Sequence, residues 1–112
     1  MEINVKTIDS ASVVELIGEI DGSSAPAAQA RILPLAGPGS HILLDMTKVP
    51  YMSSAGLRML LSTYRQVTSK NGRIVLVGLS EEIQDTMSVT GFLKFFTTCS
   101  TLEAGLATLN AA

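Results

Sequence analysis

Two short apolar runs, Ile42-Leu43-Leu44-Asp45-Met46 and Arg73-Ile74-Val75-Leu76-Val77, bracket a stretch of helical periodicity, and this arrangement constrains the fold more than any other feature. Between them Leu57, Leu60, Leu61, Tyr64 and Val67 recur at the spacing of one helix face, while Arg58, Ser62, Arg65 and Ser69 take the other side. Apolar runs of that length without alternation suit strands covered on both faces, and strands joined through a helix lie parallel. The expected unit is therefore β-α-β with a right-handed crossover, and 42–46 is the expected centre of its sheet.

The flanks extend this pattern. Ile3 and Val5 alternate with polar residues, 13–20 is rich in β-branched residues, and Asp9-Ser10-Ala11-Ser12 between them has turn composition, which predicts an antiparallel hairpin. Ser23 or Ser24 can cap a helix with Pro26 in its first turn, fading near Pro34, and Gly37-Pro38-Gly39 breaks the chain before the central strand. Ser53 is placed to cap the central helix and Gly72 to end it in the left-handed conformation. Ser80 can cap a third helix that carries Glu81 and Glu82 in its first turn and stops at Gly91. A short strand over 95–99 and a last helix follow. Ser100-Thr101-Leu102-Glu103 has the spacing of a capping box, and Leu102, Leu106 and Leu109 share one face. The fold class is α/β, one domain over residues 1–112, with a mixed, mostly parallel sheet, an N-terminal antiparallel hairpin and about four helices.

Composition narrows the chemistry. With 46% apolar and 16% charged residues the chain is expected to fold, yet no apolar run approaches the ~20 residues a membrane helix requires, and the N-terminus has no secretory pattern. The expected compartment is the cytosol, with no membrane partner. The net charge of −2 is dispersed and no Lys/Arg cluster or aromatic platform suits nucleic acid. The single cysteine, Cys99, and single histidine, His41, can complete neither a metal site nor a catalytic triad, so Cys99 is read as a buried small hydrophobe and His41 as a strand-entry residue. Asp45 is read as structural or solvent-facing. Met52, Met59 and Met87 fit either an adaptable surface or core filling. No phosphate-binding glycine loop or nucleophile elbow is present, so no catalytic residue, metal or cofactor is expected.

Three stretches carry a resemblance that covers nearly the whole chain. Gly18-Glu19-Ile20-Asp21, followed by Ser24-Ala25-Pro26, ends the second strand; Val49-Pro50-Tyr51-Met52-Ser53-Ser54-Ala55-Gly56-Leu57 opens the central helix; Val89-Thr90-Gly91-Phe92 closes the third helix. In order and spacing they resemble the STAS family, specifically the bacterial anti-sigma factor antagonists. The resemblance implies a phosphorylated serine at Ser54. The family usually has aspartate before that serine where this chain has Ser53, an equally good cap but also a neighbouring hydroxyl, so Ser53 is the alternative acceptor.

What the resemblance implies is a partner switch. The unphosphorylated protein would bind an anti-sigma factor of the histidine-kinase-like ATPase fold, which would also be its serine kinase, and a PP2C-type serine phosphatase would restore the binding form. The partner surface would hold Asp21, Ser23, Ser24, Ser53, Ser54, Gly56 and Arg58. By spacing alone, the serine pair is simply a helix cap and Asp21, like Glu19, a loop acid in a solvated turn; as the partner contact that the resemblance implies, Asp21 would on replacement weaken the kinase complex and leave stability nearly unchanged. The rival reading is a constitutive STAS module within a larger signalling or lipid-transport complex.

Overall fold

The structure is a computed structural model that describes residues 1–111. β1 (Glu2–Ile8) and β2 (Ala11–Ile17) form the expected antiparallel hairpin, Ile8 facing Ala11 across a two-residue turn. Asp9 and Ser10 both hold positive φ, 51° and 68°, as the turn that matches the right-handed twist of paired strands requires. The turn is tighter than its composition indicates: Ala11 is already buried strand and Ser12 already pairs with Thr7.

From β2 the chain alternates through α1 (Ala25–Ile32), β3 (His41–Lys48), α2 (Ser54–Ser69), β4 (Arg73–Val77), α3 (Glu81–Val89), β5 (Thr97–Cys99) and α4 (Leu102–Asn110). The five strands lie in the order β1-β2-β3-β4-β5 with only the first pair antiparallel, so β3 is central as its apolar run predicts. Because sheet order follows chain order, crossovers of one hand put all three connecting helices on the same face. α1, α2 and α3 accordingly pack with Val14, Leu44 and Leu76 in the larger core, through Ala28, Leu60 and Met87 among others. The alternate strand residues Val13, Leu43 and Val75 face the other way, where α4 covers them with Leu109. Gly105 of α4 lets that helix approach closely, since a Cβ there would fall 2.7 Å from Val77 and 2.8 Å from Leu43.

Four local expectations are corrected. The left-handed residue that ends α2 is Asn71 (φ 60°), not Gly72; Gly72 donates its N–H back to Val67 at 2.9 Å, and a Cβ on it would meet Ser40 Oγ and Val67 Cγ1 at 2.8 Å. Gly72 is thus required for space. The cap of α4 is Thr101, whose hydroxyl accepts from Ala104 N–H at 3.1 Å, one residue beyond the Ser100 that a capping box would use. The last strand begins at Thr97, because residues 93–95 form a 3-10 turn. Cys99 is half-buried with Sγ 3.5 Å from Thr108 Oγ1. The three methionines Met52, Met59 and Met87 fill the core.

Candidate functional site

The site forms at the end of the sheet where parallel strands β2 and β3 run out. Their pairing continues past the regular strands: Gly18 N–H donates to Lys48 O at 3.0 Å, Ile20 N–H to Tyr51 O at 3.0 Å, and Ser53 N–H to Ile20 O at 2.8 Å. An isolated parallel bridge joins Ile20 and Met52, both buried. The loop leading into α1 and the loop leading into α2, some thirty residues apart in sequence, are thereby fastened side by side. Gly56 makes the seat close. A Cβ at that position would lie 2.5 Å from Met52 Cγ, 2.9 Å from Ile20 Cγ2 and 3.1 Å from Ile20 O. Gly56 is buried, so it enters the site as a spacer beneath the surface and not as an exposed contact.

Around this seat the expected polar residues divide by role. Asp21 organises its loop: its Oδ1 accepts from Ser23 N–H (3.0 Å), Ser23 Oγ (2.7 Å), Ser24 N–H (3.1 Å) and Ser24 Oγ (3.2 Å). Ser24 occupies the position before α1 yet makes no side-chain cap bond; its hydroxyl instead accepts from Asp21 N–H and sits 2.9 Å from Glu19 O. The Ser23 hydroxyl, followed by the N–H groups of Ser24 and Ser23, holds the Asp21 carboxyl below its ordinary value. A carboxylate so engaged is a structural member of the turn, which argues for a cost in stability when it is replaced.

Ser53 caps α2 as predicted, in extended conformation, its Oγ accepting from Gly56 N–H at a long 3.4 Å. Ser54 is the first helical residue and is exposed, whereas Ser53 is half-buried. Among the described residues no hydrogen bond holds the Ser54 hydroxyl. The N–H groups of the first turn of α2 point toward this end, which gives it a local positive potential. One turn on, exposed Arg58 lies beside a shallow groove between α1 and α2, edged by Gly22, Pro26 and Gln29 on one side and Ala55, Arg58 and Ser62 on the other. Gln29 Nε2 donates to Ser62 Oγ across it at 3.1 Å. That Pro26 and Gln29 edge a groove was not legible in the sequence, since only the helix pairing brings α1 against α2. Tyr51, beside the bridge, is 51% exposed.

The remaining candidates lie elsewhere. Asp45 accepts from Thr47 N–H and Thr47 Oγ1 and shapes the end of β3. Thr90-Gly91 ends α3, Gly91 at φ 79°, and since α3 runs back toward the start of β5 this motif sits at the opposite end of the sheet from Ser54. Among the described residues no group of three or more His, Cys, Asp or Glu could hold a metal, and no helix is long and apolar enough to cross a membrane.

Comparison with known proteins agrees with this fold. The family model described as STAS domain matches residues 2–105. The anti-sigma-B factor antagonist of Bacillus subtilis is 29% identical over 106 residues, covering 95% of this chain and 97% of that protein. The crystal structure of an anti-sigma factor antagonist from Mycobacterium paratuberculosis matches with a TM-score of 0.87 at 28% identity, covering 98% of this chain and 94% of that one. Bacillus SpoIIAA shares the fold in its phosphorylated form, with a TM-score of 0.74 at 19% identity over 97% of this chain and all of the other.

Proposed function

The chain belongs to the STAS domain family, and from that membership we propose that it is an anti-sigma factor antagonist inactivated by phosphorylation of Ser54. The unphosphorylated protein binds an anti-sigma factor of the histidine-kinase-like ATPase fold and so releases a sigma factor. The same partner acts as kinase: the Ser54 hydroxyl attacks the γ-phosphorus of ATP, the O–P bond forms as the bridging bond to ADP breaks, and the hydroxyl proton passes to a base of the kinase. A PP2C-type phosphatase hydrolyses the ester and restores binding. The protein itself is ligand and substrate, not catalyst.

The observation that carries this reading is the contrast between the adjacent serines. The Ser54 hydroxyl is exposed and unengaged, while that of Ser53 is half-buried and committed to the cap. A phosphate on Ser54 adds about −1.5 to −2 charges beside the first-turn N–H groups, which favours the helix locally. Switching by unfolding therefore does not fit, and conflict with a partner seated over the end of α2 does. A penalty of about 3 kcal/mol weakens such a complex roughly a hundredfold.

The test is site-resolved mass spectrometry after incubation with the cognate kinase and ATP, paired with binding measurements. One phosphate on Ser54 and release of the kinase are expected; Ser54→Ala should still bind and Ser54→Asp should bind poorly while staying folded. Labelling at Ser53 alone would move the acceptor. No label on either serine would leave a constitutive STAS module.

A further inference from the structure

We propose that Arg58 is the internal counter-ion of phosphorylated Ser54, so that modification both adds a phosphate and withdraws the exposed cation edging the groove between α1 and α2. This rests on the phospho-switch above and names the group that receives the phosphate. Ser54 and Arg58 are four residues apart on α2, both exposed, and side chains at that spacing are neighbours on a helix surface. At about 100° per residue, Arg58 lies about 40° round the helix from Ser54, toward the side where Ala55, Met59 and Ser62 line the groove. Long helical side chains lean toward the N-terminus, so a guanidinium at 58 sweeps back over the turn that carries Ser54.

The charges around the pair leave Arg58 available. Among the described residues its side chain makes no hydrogen bond or ion pair, the one salt bridge joining Lys48 and Glu15. Asp21, on the loop fastened beside α2, keeps its carboxylate on Ser23 and Ser24. The order of the pair is also the favourable one, with the anion N-terminal to the cation. Guanidinium offers two parallel donors to a phosphate, a geometry that lysine lacks. Unmodified, the protein presents a free cation at the groove rim; modified, it presents a partly neutralised phosphate and no free cation there.

The experiment installs phosphoserine at Ser54 during translation, so that no kinase is involved, and follows the phosphate by phosphorus NMR through a pH titration. Its second ionisation, ordinarily at ~6, should fall about 0.3 unit lower in the phosphoprotein than in the same protein carrying Arg58→Gln. Arg58→Lys should lie between them, and Arg65→Gln, which removes an equal charge three turns along, should match the parent. The difference should shrink in high salt. The first-turn N–H groups act equally in every variant and cancel. Identical titrations for the parent and Arg58→Gln overturn the pairing, as does an equal shift from Arg65→Gln. A kinase that never labels Ser54 would defeat the switch and leave this titration unaffected, so the two failures are distinguishable.

Discussion

Replacing Gly56 by alanine tests whether the seat beneath Ser54 is as close as the structure has it. In an open helix interior the exchange gains about 1 kcal/mol, because alanine is the better helix former. Here the added Cβ would fall 2.5 Å from Met52 Cγ, 2.9 Å from Ile20 Cγ2 and 3.1 Å from Ile20 O. The Met52 atom it meets is Cγ, close to the backbone of a buried side chain, so Met52 must turn as a whole to make room. Ile20 cannot readily retreat: it is fully buried, and its carbonyl and N–H hold the bridge to Ser53 and Tyr51. Overpacking of this kind costs about 1–3 kcal/mol, so the two effects oppose and the clash should win by about 1 kcal/mol. For a domain of this size that is a fall of about 4 °C in melting temperature. Urea unfolding should show a lower midpoint with an unchanged slope. Gly56→Val, with a larger side chain and poorer helix propensity, should lose more. Gly22→Ala, where a Cβ would meet nothing within 4 Å, serves as the control and should be neutral. Because the clash lifts the start of α2, binding of the proposed anti-sigma partner should fall with stability for Gly56→Ala. A gain of about 1 kcal/mol in that variant, the full helix-propensity effect, would refute the close-packed seat.

Asp21→Asn should destabilise near neutral pH, because a carboxyl held below its ordinary value adds stability above the unfolded aspartate value and loses it as pH falls through the lowered one. Unfolding midpoints of parent and variant should therefore converge in acid, and a gap independent of pH would assign the loss to neutral hydrogen bonding alone. Ser53→Ala should cost only about 0.5 kcal/mol, the low end for a lost cap, given the long 3.4 Å contact to Gly56; a loss near 2 kcal/mol by urea titration would show a tighter cap than the structure holds. Asn71→Gly should be neutral or slightly stabilising, whereas Asn71→Val, forced to φ near 60°, should lose about 1 kcal/mol or more. Equal stability of the two Asn71 variants would contradict the left-handed end of α2.

Much of the fold was legible because its signals are local. The 3.6-residue stripe from Leu57 to Val67, the short apolar runs at 42–46 and 73–77, and the serines before α2 and α3 each act within a turn or strand of their own position. So do the three stretches that resemble the STAS family. Even local signals failed where neighbours share a capacity: Asn71 and Gly72 can both end a helix, and Ser100 and Thr101 can both begin one. Which of each pair did so depended on the surroundings, as when Val67 and Ser40 left Gly72 no room for a side chain.

The sequence by itself determined the order of elements, their periods and the serine pair at the start of the central helix. Tertiary structure alone decided that the Asp21 loop and the Ser54 loop meet, that Gly56 is a spacer, and that α4 takes the opposite face from α1, α2 and α3. The physical reason is range. Caps and helix stripes are fixed by hydrogen bonds and contacts over three or four residues, whereas the Ile20–Met52 bridge exists only once parallel strands paired some thirty residues apart have closed into one sheet.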